Sequence, residues 1–130
     1  MTEFEVRLLL DRFREAWDRR DVESAVACFA EDGAYHASIC STGEHGRANG
    51  RDEIKKLIQQ MFAHDDGAIS SMEDISIVPP PDFDGPWLVW WNWVYRLPDA
   101  RVERGCDRIK ILDDEIILKD AYRKIVGRMC

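Results

Sequence analysis

The chain has 130 residues, a length that fits one hydrophobic core and a single domain spanning 1–130. Apolar residues make up 45% and charged residues 33%, a globular composition and not a disordered one. With 18 basic against 25 acidic side chains the net charge is −7, which argues against nucleic acid or an anionic membrane surface as a partner.

Met1-Thr2-Glu3-Phe4-Glu5 is acidic where a secretory leader is basic, and no apolar run is long enough to span a bilayer. Cys28, Cys40, Cys106 and Cys130 form no CxxC pair, so the expected setting is reduced and cytoplasmic. Thr2 and Glu5 read as a capping box for a first helix over 3–19, with Val6, Leu9, Leu10, Phe13, Ala16 and Trp17 at helical spacing. Asp21 caps a second helix over 22–30, and Glu31-Asp32-Gly33 ends it, Gly33 suiting a left-handed turn. A short strand over 34–39 follows, then a small, polar, glycine-containing loop over 40–50 that is placed to act as a lid. Asp52 and Glu53 open a third helix with an Ile54, Leu57, Ile58, Met61 and Phe62 stripe.

Beyond residue 70 the period changes to two. Strands are expected over 72–78, 87–97, 101–112 and 115–125, with a stiff proline connector from Pro79 to Pro86. Helices first and a strand meander after them give an α+β fold, with helices packed on one face of a mostly antiparallel sheet. The strand over 87–97 is apolar and aromatic at odd and even positions alike, where a strand with one wet face would alternate. Helices account for one covered face; a second copy in a twofold dimer accounts for the other, with Trp91, Trp93 and Tyr95 or their neighbours at the contact.

Turn lengths set the register. A two-residue Pro98-Asp99 turn places Trp90 opposite Asp107, and a three-residue turn at 112–114 places Asp107 opposite Lys119. One face then carries Trp90, Asn92, Asp107, Lys119 and Arg123 among Leu, Val and Ile side chains. Ionisable groups accept burial only when paired. An Asp107–Lys119 bridge that plugs the core is one reading, and a small-molecule pocket with convergent polar groups is the other.

Three stretches carry a family resemblance: Asp21-Val22-Glu23-Ser24-Ala25-Val26-Ala27-Cys28-Phe29-Ala30-Glu31-Asp32-Gly33-Ala34, then Gly50-Arg51-Asp52-Glu53-Ile54, then Gly105-Cys106-Asp107 with Asp113-Asp114-Glu115-Ile116 and Ala121-Tyr122. Together they resemble the nuclear-transport-factor-2-like superfamily and, within it, the SnoaL-like, polyketide-cyclase-like proteins. The resemblance implies a cystatin-like, cone-shaped α+β barrel, with a curved sheet around three N-terminal helices, a pocket inside and a homodimer through the outer sheet face. Activity varies across such folds, from isomerases, cyclases and dehydratases to binding modules, so the fold does not select one. Against the ketosteroid isomerases, which the physical chemistry of tuned carboxyls often takes as its example, this chain has Phe13 for the oxyanion-hole Tyr and Ala37 for the Asp base, and keeps only Asp107. Against limonene-epoxide-hydrolase-like enzymes it offers Trp91-Asn92-Trp93 and Ala121 in place of the Arg-x-Asp pair and the last-strand Asp.

The expected function is therefore binding of a small, largely apolar, ring-bearing ligand in the cone, with isomerase-, lyase- or cyclase-type acid–base chemistry at Asp107, or else a non-catalytic binding or dimerisation module. Asp107 and Tyr35 are the candidate acid–base groups, and Trp17, Phe13, Ala37, Trp90, Asn92, Lys119 and Arg123 the candidate lining. His36, Cys40 and His45 lack the tight pairs of a structural zinc site, and no cofactor is expected.

Overall fold

A computed structural model describes residues 1–39 and 46–127. The chain order is α1 (Glu3–Asp18), α2 (Val22–Ala27), β1 (Phe29–His36), β2 (Arg47–Asn49), α3 (Arg51–His64), β3 (Ile69–Val78), β4 (Trp87–Arg96), β5 (Val102–Leu112) and β6 (Glu115–Arg123). The six strands form one sheet in the order β2-β1-β6-β5-β4-β3. Every neighbouring pair is antiparallel except β1 with β6. The sheet curves round the helices without closing, so β2 and β3 are its edges.

The helices form where capping and apolar spacing place them. The Thr2 hydroxyl accepts the Glu5 N–H at 3.2 Å, and α1 buries Val6, Leu9, Leu10, Phe13, Ala16 and Trp17. Asp21 caps α2 by accepting the Ser24 N–H at 3.1 Å, and α3 buries Ile54, Leu57, Ile58 and Met61. The sheet lays Val89, Trp91, Trp93, Ile109, Ile111 and Ile116 against these stripes.

Four expectations change. The second helix stops at Ala27, and β1 starts at Phe29, five residues earlier than the expected strand. Gly33 is not a left-handed turn but part of β1, where a Cβ would stand 3.0 Å from the carbonyl oxygens of both Ala30 and Ile116. It lies at the irregularity between Phe29 and Ala34 in the parallel pairing with β6, so glycine there permits a close backbone approach. Three residues of the expected loop, Arg47–Asn49, pair with β1 as a strand, Gly50 is the N-cap of α3, and residues 40–45 of the expected lid lie outside the described residues.

The fourth change is register. The β4–β5 turn has three residues, Pro98 to Ala100, with the Leu97 N–H bonded to the Arg101 carbonyl at 2.9 Å and Ala100 left-handed at φ 71°. That extra residue pairs Trp91, not Trp90, with Asp107. The helix-facing side of β4 is therefore its odd positions, Val89, Trp91, Trp93 and Tyr95, and Trp90 and Asn92 face outward. The β5–β6 turn is shorter than expected, Asp113-Asp114, with Leu112 opposite Glu115. An irregularity at Lys110/Ile111 restores the lost residue, so Asp107 faces Ala121 while Lys119 faces Ile109. Asp107, Lys119, Ala121 and Arg123 stay on the inner face as expected.

Candidate functional site

Asp107 sits at the centre of the inner sheet face and is 2% exposed. Trp91 Nε1 donates to its Oδ2 at 2.6 Å, and Trp93 Nε1 donates to its Oδ1 at 3.1 Å. The Lys119 ammonium stands 3.5 Å from Oδ2. Three donors thus converge on one carboxylate, an arrangement that satisfies a buried acceptor. Gly105 makes it possible. It lies opposite Trp93 on β5, and any Cβ at that position would overlap the Trp93 ring and the Tyr122 carbonyl. The indole occupies the space a side chain would take and reaches Asp107 two residues along.

Lys119 links the acid to β1. Its Nζ donates to the Tyr35 hydroxyl oxygen at 3.1 Å and lies 4.3 Å from the Tyr35 ring centre and 5.0 Å from the Trp17 ring. The parallel pairing of β1 with β6 sets Tyr35 directly beside Lys119. Burial, the largest effect, pulls the Lys119 pKa down, but Asp107 and Tyr35 together outweigh it and leave the value above the ordinary 10.5. Burial raises the Tyr35 pKa, and Lys119 only partly offsets it. The cluster therefore holds an ammonium and a protonated phenol at neutral pH. The Tyr35 oxygen accepts from Lys119, and its own O–H donates to none of the described residues.

The remaining candidates separate into two groups. Phe13 and Trp17 are buried in the aromatic layer over the cluster, with ring centres 5.5 Å apart. Trp17 Nε1 donates to the Tyr95 hydroxyl at 2.8 Å, so this indole fixes α1 to β4. Ala37 and Ala121 are half-buried and pack at the edge of the core. Arg123 is on the inner face but turns to Glu103, to which it bonds, with its guanidinium 5.0 Å from the Trp93 ring. Trp90, 39% exposed, and Asn92, which donates to Asp74 at 3.2 Å, lie on the opposite side of the sheet and line nothing near Asp107. His36 also points outward, 3.8 Å from Asp120, and Cys40 and His45 fall outside the described residues.

Tyr35 is 1% exposed and Lys119 5%, so the cluster is packed closed. A hollow of about 390 Å³ opens on the sheet by Asn92, Cys106, Tyr122 and Lys124, and another of about 310 Å³ lies under the proline connector by Met1 and Trp87. Neither borders Asp107. A second polar group, His64, Asp65 and Glu103, gathers where α3 ends and β5 begins. Nothing in the sequence pattern singles out this group, because the burial of Asp65 is set by chain packing that no local pattern encodes.

A profile of the SnoaL-like domain matches residues 10–119. No curated protein matches the sequence. Among solved structures, an NTF2-like protein of unknown function from Mesorhizobium loti is 18% identical, with a TM-score of 0.72 over 92% of this chain and 91% of that one. A protein of unknown function with a cystatin-like fold from Nostoc punctiforme is 20% identical, with a TM-score of 0.68 over 94% and 90%. A provisionally assigned polyketide cyclase from Xanthomonas campestris is 22% identical, with a TM-score of 0.61 over 91% and 89%. These likenesses concern the fold. No described helix is long and apolar enough to cross a membrane.

Proposed function

This chain belongs to the SnoaL-like domain family, and we propose that it binds a small, largely apolar, ring-bearing molecule against the Tyr35–Lys119–Asp107 cluster, where acid–base chemistry follows. The observation that carries the reading is the unspent Tyr35 proton: its oxygen already accepts from an ammonium, and its O–H has no acceptor among the described residues. An adjacent ammonium polarises a phenol toward donation, and a carbonyl or enolate oxygen is the group such a donor stabilises. In this reading Tyr35 presents the proton, Lys119 polarises it, and Asp107 holds Lys119 and both indoles in place. A buried ion pair is no better for stability than well-packed hydrocarbon, so an aromatic core that keeps one invites a functional reason. Half-buried Ala37, Ile39, Phe62 and Ala121 edge the core and are the groups that yield when a ring enters.

A second reading, a non-catalytic binding or dimerisation module, is favoured by the engagement of both Asp107 oxygens. In either case the outer sheet face pairs with a second copy, supported by Trp90 at 39% and Tyr122 at 52% exposure on strands β4 and β6.

A thermal-shift screen with cyclic ketones, phenols and lactones separates the readings. Stabilisation of the wild type by one of these classes, lost in Tyr35→Phe while the unliganded melting temperature changes little, is the expected result. If no ring compound stabilises the wild type, or if Tyr35→Phe responds equally, the cluster is structural and the non-catalytic reading stands.

A further inference from the structure

We propose that His64, Asp65 and Glu103 form a binding site for a divalent d-block cation, with zinc the ion that fits the donor set. Asp65 is completely buried, and neither of its carboxylate oxygens has a hydrogen-bond partner. A buried carboxylate with no donor is costly, and a cation is one of the few things that satisfies it.

The local chain explains why no protein donor serves. Asp65 is the C-cap of α3; its N–H bonds to the Met61 carbonyl at 2.9 Å, and its own carbonyl accepts the Ala68 N–H at 2.9 Å. Arg20 reaches the same segment but spends its guanidinium on backbone, donating to the carbonyls of Trp17, Asp65 and Ala68. The carboxylate is left facing His64 and Glu103. His64 Nε2 lies 3.9 Å from Asp65 Oδ1 and 3.9 Å from Glu103 Oε2, beyond hydrogen-bond reach in both cases. The three ligand atoms all fall within 4.8 Å of one another.

Zinc binds imidazole nitrogen and carboxylate oxygen at about 2.0–2.2 Å, so tetrahedral ligand atoms stand about 3.3–3.6 Å apart. The two His64 distances need a contraction of only a few tenths of an ångström, and the two carboxylates, within 4.8 Å of each other, must close by up to about 1.5 Å. One imidazole and two carboxylates favour zinc, cobalt or nickel over calcium, which wants six or more oxygens. Arg123 bonds Glu103 Oε2, the same oxygen that stands 3.9 Å from His64, so an ion at this site shares that oxygen with the guanidinium. The His64 side chain is 36% exposed, which gives an ion its entry and leaves room for water as a fourth ligand.

The test is titration of the chelator-stripped full chain with zinc chloride, followed by calorimetry and by competition with a chromophoric chelator. One equivalent is expected to bind and to raise the melting temperature. His64→Ala, at a half-exposed helix end, is expected to stay folded by circular dichroism and to lose more than about tenfold in affinity. Asp65→Asn is expected to lose binding as well, and Tyr35→Phe to bind zinc as the wild type does, which keeps this result separate from that of the ring-compound screen. Absence of zinc binding at millimolar concentration, or an affinity unchanged in His64→Ala, overturns the assignment.

Discussion

The ammonium of Lys119 is buried, so its removal tests how tightly the cluster is coupled. Lys119→Met leaves Asp107 buried with its indole donors alone and is expected to cost about 3–5 kcal/mol, measured by denaturant unfolding. The pH dependence has a definite sign. Because the folded pKa of Lys119 lies above its ordinary 10.5, the stabilisation is fully present below that value and disappears as pH climbs through the folded pKa. Wild-type unfolding midpoints should therefore hold steady through the neutral range and fall in strong alkali, and Lys119→Met should lack that alkaline contribution. Gly105→Ala is the complementary change. The new Cβ meets the Trp93 ring and the Tyr122 carbonyl, so the indole must move off Asp107. A loss of about 1–3 kcal/mol and an altered near-ultraviolet dichroism of the tryptophans are expected. Asp107 and Lys119 were legible as an inward-facing pair because ionisable residues alternating with isoleucine are conspicuous on a strand. The two indole donors were not, since a two-residue β4–β5 turn would point Trp91 and Trp93 outward and the observed three-residue turn points them inward.

Turns decide that register, and they are the elements a sequence states least clearly. Pro98-Asp99 suits a two-residue or a three-residue connection, and only the left-handed backbone of Ala100 separates them. That single residue moved Trp90 and Asn92 to the outer face. The β5–β6 turn is also a residue shorter than its sequence suggests, yet the irregularity at Lys110/Ile111 returns the strand to the same parity, so Lys119 and Arg123 keep their face. Helices are more legible, because capping residues and a 3.6-residue apolar period are local signals. The short α2 is the exception, its apolar pattern running on into β1 through Phe29. The tight turn itself offers a prediction. Asp113 and Asp114 are both left-handed, at φ 51° and 64°, as a type I′ hairpin requires. Asp113→Asn with Asp114→Gly removes the steric cost and is expected to stabilise the hairpin by about 1 kcal/mol in urea unfolding. The exposed Arg12–Asp114 ion pair that this change gives up contributes little.

At the scale of the molecule, an open sheet wraps three helices and presents aromatic side chains outward as well as inward. Trp90 and Tyr122 on that outer face are expected to be covered in a twofold dimer. Sedimentation at micromolar concentration should give twice the chain mass, and Trp90→Glu should give a folded monomer; a wild-type monomer would contradict the pairing. The overall architecture was legible early, because the order of helices and strands survives errors of a residue in any turn. The closure of the inner cluster was not, since packing depends on which side chains meet across strands far apart in sequence. Whether that cluster receives a ligand is settled most directly by native mass spectrometry of the purified chain beside its Tyr35→Phe variant. The account predicts a retained small-molecule mass on the wild type that the variant lacks, and a bare protein mass for both would contradict it.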